Sequence, residues 1–220
     1  KIKILKAASS LPKNFRPDIV LLAVKPNQLD SAMTEELVNI ISDSLIVSII
    51  AGKKISELKR ITRNKNKTVR AMTNTPVSLG MGTSILYFDK GVKKKFKNLA
   101  REFLALVGQV NEAKNESVID SFTAIYGSGP AYIYLMIESL IKISSKAGLK
   151  NSENMVIQTF LGSLLLLMSG SSDAKTLREN VTSKGGTTQA ALDVFDERGF
   201  AETVADAIRS AKLRSKDLSE

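Results

Sequence analysis

One stretch of the chain, Asn180–Leu192, combines hydroxyl side chains, two adjacent glycines and the start of a helix-compatible segment. Gly185 and Gly186 can adopt backbone angles that are closed to other residues, and they carry no Cβ that would block a close approach. We expect Thr187 or Thr188 to cap the helix that follows at once. Such a turn directs free N–H groups and the positive end of the helix dipole at a carboxylate or a phosphate. An ordinary connection between two helices has the same pattern, so this stretch alone leaves both interpretations open.

The composition excludes several kinds of catalytic site. The 220 residues contain no cysteine and no histidine, so the sequence predicts no disulfide framework and no thiolate or imidazole metal site. Catalysis that uses histidine as the general base is excluded for the same reason. No secretory signal is visible and no apolar run reaches the length of a membrane span, which favours a cytoplasmic location.

The positive charge of the chain is concentrated in its first half. Residues 1–116 hold 21 Lys and Arg against 10 Asp and Glu, a net charge of +11, whereas residues 117–220 hold 11 against 12, a net charge of −1. Such a field can attract nucleic acid or steer a phosphorylated ligand, although a stacking surface would need more interleaved aromatic residues. Solvated helix faces are the other interpretation. The basic clusters are Lys53, Lys54, Lys59, Arg60, Arg63, Lys65, Lys67 and Arg70, then Lys90, Lys93, Lys94, Lys95, Lys97 and Arg101.

Residues 1–116 follow the pattern of an α/β domain. Short apolar runs that are rich in β-branched residues indicate strands buried on both faces, and amphipathic segments between them indicate helices. Strands that alternate with helices are typical of a doubly wound parallel sheet. The strands predicted to be buried are 19–24 and 45–50, the further strands are 68–72 and 84–88, and 110–112 is predicted as a last edge strand. The predicted helices are 27–41, 55–61 and 93–106.

Three turns are expected to meet at the carboxyl edge of this sheet, where such sheets bind their ligands. They are Val24-Lys25-Pro26, Ala51-Gly52 and Met72-Thr73-Asn74-Thr75-Pro76, and each also has a plain explanation in turn chemistry. A dinucleotide site usually starts with a strand and a G-x-G-x-x-G turn, and no such turn precedes Ile19. Ile2–Leu5 can form a small strand, but no glycine follows it directly. The sheet is therefore expected to lack its usual first βα unit.

Residues 117–220 are predicted to be helical throughout. The segment 152–169 is apolar almost all round, and one way to bury such a helix is against a second copy of the chain. Gly127-Ser128-Gly129-Pro130 opens another helix and is compatible with a phosphate cradle or with tight helix packing. The predicted helices are 117–124, 130–147, 152–169, 173–181, 188–198 and 200–216.

Four motifs occur in one order along the chain and together resemble pyrroline-5-carboxylate reductase. The similarity extends from Asp18 to Leu218, and four motifs in order are far more specific than any one of them. The motifs are Ala23-Val24-Lys25-Pro26, Val69-Arg70-Ala71-Met72-Thr73-Asn74-Thr75-Pro76, Gly127-Ser128-Gly129-Pro130-Ala131-Tyr132 and Val181-Thr182-Ser183-Lys184-Gly185-Gly186-Thr187-Thr188.

The resemblance implies a Rossmann-type nucleotide-binding domain at 1–116, which is incomplete at its N-terminus, and an all-α dimerisation and substrate-binding domain at 117–220. It implies that the cofactor NADPH, with NADH as the alternative, reduces the cyclic imine 1-pyrroline-5-carboxylate to L-proline, the last step of proline synthesis. The implied partners are this small-molecule substrate and further copies of the chain, in a dimer or a decamer. No nucleic acid and no membrane is implied.

Carried over residue by residue, the resemblance also assigns a site. The turn before the late helix would hold the substrate carboxylate, and Thr188 would lie near the ring nitrogen as the catalytic residue. The cofactor would be bordered by the three turns of the sheet edge and reached from the helical domain. The substrate residues so assigned are Ser183, Gly185, Gly186, Thr187 and Thr188, and the cofactor residues are Val24, Lys25, Pro26, Ala51, Gly52, Asn74, Thr75, Pro76 and Asn180.

Two departures from the family pattern keep other functions open. Lys184 stands where the family usually has proline, and the βα unit that holds the pyrophosphate in the family is absent. One alternative is a truncated, inactive relative that acts only as a helical dimer, and another is a nucleic-acid binder that uses the basic half. A third is a two-domain NAD(P)-dependent dehydrogenase of the β-hydroxy-acid type. That class would need a catalytic lysine on the predicted helix 130–147, where Lys142 and Lys146 lie.

Overall fold

The structure is a computed structural model that describes residues 3–12, 14–63 and 67–218. It divides into two compact units, one made of Lys1–Pro130 with Arg209–Glu220 and the other of Ala131–Ile208. The elements of the first unit are, in order, β1 (Ile19–Leu22), α1 (Leu29–Ala32), α2 (Glu35–Ile40), β2 (Leu45–Ser48), α3 (Ile55–Thr62), β3 (Thr68–Met72), β4 (Gly82–Phe88), α4 (Lys94–Ala105), β5 (Gly108–Glu112) and α5 (Val118–Phe122).

The first unit is built on one sheet with helices on both faces. Its strand order is β1-β2-β3-β4-β5. Side chains alternate between the faces along β2: Leu45 and Val47 pack in one core cluster with Leu104 of α4, whereas Ile46 packs in another with Leu58 of α3. A strand buried on both faces reads as a continuous apolar run, which holds for β2. The same prediction for β1 is wrong, because Leu22 is its only buried residue and Leu21 is 41% exposed. The predicted Rossmann-type α/β class is confirmed.

The direction of β4 differs from the fully parallel sheet that was predicted. β1, β2 and β3 are parallel to one another, but β4 is antiparallel to β3, and β5 is parallel to β4. Only a 3-10 turn, Thr75–Leu79, lies between β3 and β4. A parallel pair needs a crossover of about a dozen residues or more, which this connection is too short to provide. The sheet is therefore mixed, with a parallel half that begins at β1.

Two further predicted elements differ in detail. The predicted helix 27–41 is interrupted, because the Thr34 side chain accepts a hydrogen bond from Leu37 N at 3.3 Å and so starts α2 as a separate helix. The predicted strand Ile2–Leu5 is irregular at residues 3–5, and Ile2 lies outside the described residues. Lys65 of the first basic cluster also lies outside them.

The second unit consists of helices and exposes many apolar side chains. The helix α6 has no buried residue, and α7 has only Ser152 and Val156 buried. Among the described residues, no helix combines the length and the hydropathy that crossing a membrane requires. The helices are α6 (Gly129–Lys146), α7 (Ser152–Met168), α8 (Ala174–Asn180), α9 (Thr187–Glu197) and α10 (Phe200–Asp217); α6 begins, and α10 ends, in residues of the first unit.

Candidate functional site

The three predicted turns of the sheet lie at one edge. The parallel register pairs Leu22 of β1 with Ser48 of β2, and Ser48 with Arg70 of β3, so the carboxyl ends of these strands open on the same side. Ligands of open α/β sheets bind at this edge. The structure therefore brings together, in the first unit, the predicted residues Val24, Lys25 and Pro26, then Ala51 and Gly52, and then Asn74, Thr75 and Pro76.

The turn after β2 is closely packed from behind. Gly52 has a φ of +75°, and a Cβ at this position would lie 2.7 Å from the carbonyl carbon and 2.9 Å from the Cβ of Leu218. Only glycine fits such a contact in this backbone conformation. Three residues later, Ile55 N donates to Glu116 Oε1 at 2.7 Å, so an external carboxylate caps the start of α3. Contacts on two sides thus fix the shape of this turn.

The turn after β3 is held by the side chain of Asn74. Its Oδ1 accepts a hydrogen bond from Thr83 N at 2.9 Å, and its Nδ2 donates to Tyr126 O at 3.2 Å. The resemblance implied that Asn74 lines the nicotinamide side. Because both ends of its amide have partners within the protein, Asn74 shapes the loop. A 3-10 helix begins at Thr75, and Pro76 lies in its first turn.

In the second unit, the two glycines form a tight turn before α9. Gly186 N donates to Ser183 O at 3.0 Å, and Gly185 between them has a φ of +72°. A Cβ on Gly186 would collide with the hydroxyl oxygen of Ser183. Gly185 therefore suits its positive φ, whereas a side chain at Gly186 would force the serine hydroxyl into another rotamer.

The predicted threonine cap is wrong. Gly186 is the N-cap residue, with φ −82° and ψ 172°, and no side chain caps the helix. The helix α9 already includes Thr187 and Thr188, and its first backbone bond runs from Ala190 N to Gly186 O. Gly186 is extended and its carbonyl accepts the first helical bond, so it starts the helix without a side-chain cap. Glycine is tolerated at the N-cap position.

This helix start leaves donors free for an anion. The N–H groups of Thr187, Thr188 and Gln189 precede the first bond of the helix, and such groups need an acceptor from outside it. Within the described part of the chain, no hydrogen bond is found for the Thr188 hydroxyl, and Lys184 is exposed beside the turn. N–H groups, a hydroxyl and the helix dipole in one place are suited to a carboxylate.

A groove of about 730 Å³ adjoins this turn within the second unit. Thr182 and Gln189, which flank the turn, are among its lining residues, and Asn180 lies exposed at the end of α8. Across the described ranges, no group of three or more acidic side chains could hold a metal ion. The apolar part of the groove is lined by Met136, Leu140, Leu192, Phe195 and Phe200.

Comparison with known proteins assigns a family. The family model for the dimerisation domain of pyrroline-5-carboxylate reductase matches residues 116–218. The pyrroline-5-carboxylate reductase of Haemophilus influenzae is 33% identical over 220 aligned residues, which cover 99% of this chain and 81% of that protein. The chain belongs to the pyrroline-5-carboxylate reductase family. A Bacillus subtilis member of the family is 35% identical over 205 residues, 92% of this chain and 69% of that protein.

Solved structures of the reductase family have the same fold. The pyrroline carboxylate reductase of Plasmodium falciparum, solved with NADP bound, has a TM-score of 0.87 at 32% identity. The alignment covers 98% of this chain and 82% of the Plasmodium chain. The Coxiella burnetii reductase has a TM-score of 0.83 at 35% identity, with 94% of this chain and 77% of that one covered. These similarities favour the reductase over a β-hydroxy-acid dehydrogenase, whose candidate lysines, Lys142 and Lys146, are exposed on α6.

A group of polar residues that was not predicted from the sequence lies behind the sheet edge. Arg70 lies on β3 with its side chain buried, and its guanidinium contacts Glu116 and Asp120. The available signal was an arginine within Thr68–Met72, which was predicted as an inner strand of the sheet. A charged residue at such a position needs a buried partner. The partners themselves lie about fifty residues away in sequence, where no local pattern marks them.

Proposed function

We propose that the chain reduces 1-pyrroline-5-carboxylate to L-proline, with NADPH as the hydride donor and NADH as the alternative donor. The observation that carries this proposal is the uncapped start of α9 behind the Ser183–Gly186 turn, in a member of the pyrroline-5-carboxylate reductase family. The substrate is an anion through its carboxylate, and an uncapped helix start with nearby hydroxyls is the kind of site that binds such a group.

The substrate half of the site is proposed to lie on the turn before α9. Ser183 and the backbone of Gly185, Gly186 and Thr187 bind the carboxylate, and Thr188 is the catalytic residue that places its hydroxyl near the ring nitrogen. In support, the N–H groups of Thr187 and Thr188 precede the first bond of the helix. Each hydrogen bond from a neutral donor to a carboxylate is charge-assisted and correspondingly strong.

The cofactor half is proposed to lie along the carboxyl edge of β1, β2 and β3. The family relationship to a structure with NADP bound and the shared edge of the three turns support this placement. A dinucleotide that binds across the carboxyl ends of these strands would contact the residues of the three turns. The chain contains no G-x-G-x-x-G turn, so none of its residues is assigned to the pyrophosphate. The residues assigned to the cofactor are Val24, Lys25, Pro26, Ala51, Gly52, Asn74, Thr75 and Pro76, with Asn180 from the second unit.

The proposed chemistry suits a protein without histidine. When bound, the reduced nicotinamide supplies a hydride to the carbon of the substrate C=N bond. The ring nitrogen of the iminium already carries its proton and a positive charge, so the step gives the secondary amine of proline without a strong acid from the protein. The residues of the chain then have to bind the carboxylate and hold the ring with its C=N carbon facing the nicotinamide. Such catalysis acts by positioning the two reactants.

An activity assay on the natural polypeptide that contains these residues tests the proposal. We expect NADPH to be oxidised only when 1-pyrroline-5-carboxylate is added, with one L-proline formed for each NADPH consumed. Absence of proline formation, while the protein still self-associates, would instead support the helical-dimer alternative. Retention on DNA that weakens with salt, without NADPH oxidation, would support the nucleic-acid alternative.

The helical part of the chain mediates self-association, as its match to the dimerisation family indicates. We propose that the functional division lies between 1–116 and 117–220, that the assembly is a dimer or a decamer built from dimers, and that the protein acts in the cytoplasm. Light scattering would give the mass of the assembly, and subcellular fractionation would test the location. The excess of exposed apolar residues on α6 and α7 supports the proposed dimer.

A further inference from the structure

Three buried polar side chains in the first unit form a cluster with Glu116, whose side chain is 27% exposed. Arg70 on β3 is 1% exposed, Asp120 on α5 is 6% exposed and Ser215 on α10 is 5% exposed. Arg70 Nη2 donates to Asp120 Oδ1 at 3.0 Å, and Arg70 Nη1 donates to Glu116 Oε1 at 3.4 Å. Ser215 Oγ donates to the same Asp120 Oδ1 at 3.2 Å. The cluster therefore connects three elements that are far apart in sequence.

Both ends of this cluster lead to the turn after β2. At one end, Glu116 Oε1 accepts the hydrogen bond from Ile55 N, three residues beyond Gly52. At the other end, Leu218 follows Ser215 by less than one helical turn, and its backbone lies against Gly52. The turn that is proposed to border the cofactor is thus held between a carboxylate and the end of α10.

Hydrophobic packing would not require such a cluster. Apolar side chains of similar volume often stabilise a core as well as a buried ion pair does, because charges are costly to remove from water. Arg70 Nε moreover has no hydrogen-bond partner among the described groups, which is a further cost. The hydrogen bonds of the cluster instead orient the helix. Because each bond has a required geometry, together they specify one position of α10 relative to β3.

We propose that Ser215 is a positioning residue for the cofactor. Through Asp120 and Arg70 it fixes the end of α10, so that Leu218 supports Gly52 and the Ala51–Gly52 turn keeps the shape that receives the dinucleotide. This inference rests on the proposed function, because it assumes that the turn borders NADPH. It assigns to α10 a role in cofactor affinity that is separate from any role in self-association.

The test compares Ser215→Ala with Ser210→Ala, a matched change at an exposed position of the same helix. Three quantities are measured: the Kd for NADPH by fluorescence titration, hydrogen exchange of residues 51–56 without cofactor, and the KM for the imine. For Ser215→Ala we expect the Kd to rise about fivefold, the order of effect of one lost hydrogen bond. Exchange at 51–56 should become faster, and the KM for the imine should stay unchanged. Ser210→Ala should match the wild type in all three.

The outcomes separate this inference from the function on which it rests. An unchanged Kd and unchanged exchange at 51–56 in Ser215→Ala would overturn the positioning role, even if the melting temperature fell. Equal rises in the Kd for NADPH and the KM for the imine would also overturn it, since they indicate general loosening. Failure of the wild type to bind NADPH would overturn the proposed function together with this inference. Leu218→Gly, at a more exposed position, provides a second variant and should show the same selective loss in smaller degree.

Discussion

The two compact units of this protein bury their apolar residues to very different extents. Every residue of β2 and of β3 is buried, whereas α6 has no buried residue and α7, the most apolar helix, has two. The first unit therefore forms its core from its own chain. The second unit exposes large side chains along consecutive positions of α7, such as Leu164 to Leu167.

This difference indicates what completes each unit. A contiguous exposed apolar surface on a helix marks an interaction site, and the dimerisation family to which residues 116–218 match identifies the partner as a second copy. The stability of the helical unit should then depend on protomer concentration, whereas the sheet should not depend on it directly.

The largest effect is expected from a charge placed on α7. Leu165 is 56% exposed in the single chain, and Leu165→Asp should prevent self-association, because an unpaired charge buried in an interface costs about 3–5 kcal/mol. Size-exclusion chromatography with light scattering measures the result. Gln158→Glu, an acidic change at a polar position of the same helix, should leave the mass unchanged. An unchanged mass for Leu165→Asp would show that α7 is not covered by a partner.

A second pair of variants replaces a buried and an exposed leucine of the first unit by alanine. Leu86 on β4 is 0% exposed and Leu79 is 79% exposed. Leu86→Ala should lower the free energy of unfolding by about 2–5 kcal/mol, as core truncations do, and Leu79→Ala should change it by less than about 0.5 kcal/mol. Urea unfolding measures both. Similar losses for the two variants would contradict the assignment of the core.

Thr188→Ala is expected to act on substrate use and not on the fold. Loss of one hydrogen bond to a charged group corresponds to about 1.5–3 kcal/mol in kcat/KM for the imine. The KM for NADPH should stay within about twofold of the wild type, because the change lies in the substrate half of the site. Steady-state kinetics with each substrate varied in turn gives both values. A loss confined to NADPH would place Thr188 on the cofactor side.

The smallest effect concerns Asp173, the exposed residue that caps α8. The hydrogen bond from Thr176 N holds the pKa of this carboxyl below its ordinary value of 3.8. Since the folded pKa is the lower one, its stabilising contribution is complete above the unfolded pKa and is lost as the pH falls through the folded pKa. Asp173→Asn keeps a cap without a charge. We expect thermal unfolding of this variant to lose that dependence on pH below about pH 4, the region in which an unperturbed aspartate titrates.

The sequence predicted local elements well and their three-dimensional consequences less well. The bounds of β3 were predicted correctly, because the polar, proline-containing turn Thr73–Pro76 that follows it is a local signal. The reversal at β4 was missed, since it depends on what a short connection can reach. The cap of α9 was misassigned to a threonine, because the sequence shows two good capping residues but not where the helix begins. The cluster of Arg70, Asp120 and Ser215 was missed because its members are up to 145 positions apart.

The candidate site shows the same division. The positions of the Gly185–Gly186 turn and of the three edge turns were predicted, and the structure shows the contacts that form the glycine turn and the turns after β2 and β3. The role of Asn74 in shaping its loop could not be predicted, because its partners, Thr83 and Tyr126, lie on other elements. Residue types and spacing therefore indicated the turns at which the chemistry is proposed, and tertiary contacts determine which side chains are left free to take part.

The most direct test of the central claim is hydrogen exchange at the start of α9 when product binds. The amides of Thr187, Thr188 and Gln189 would be measured in the complete protein with NADP and either L-proline or L-prolinamide, which lacks the carboxylate. The account predicts that L-proline slows exchange at these amides much more than L-prolinamide does, because a charged carboxylate accepts stronger bonds from this helix start than a neutral amide carbonyl. Binding of L-proline without protection there, or equal protection by both ligands, would contradict it.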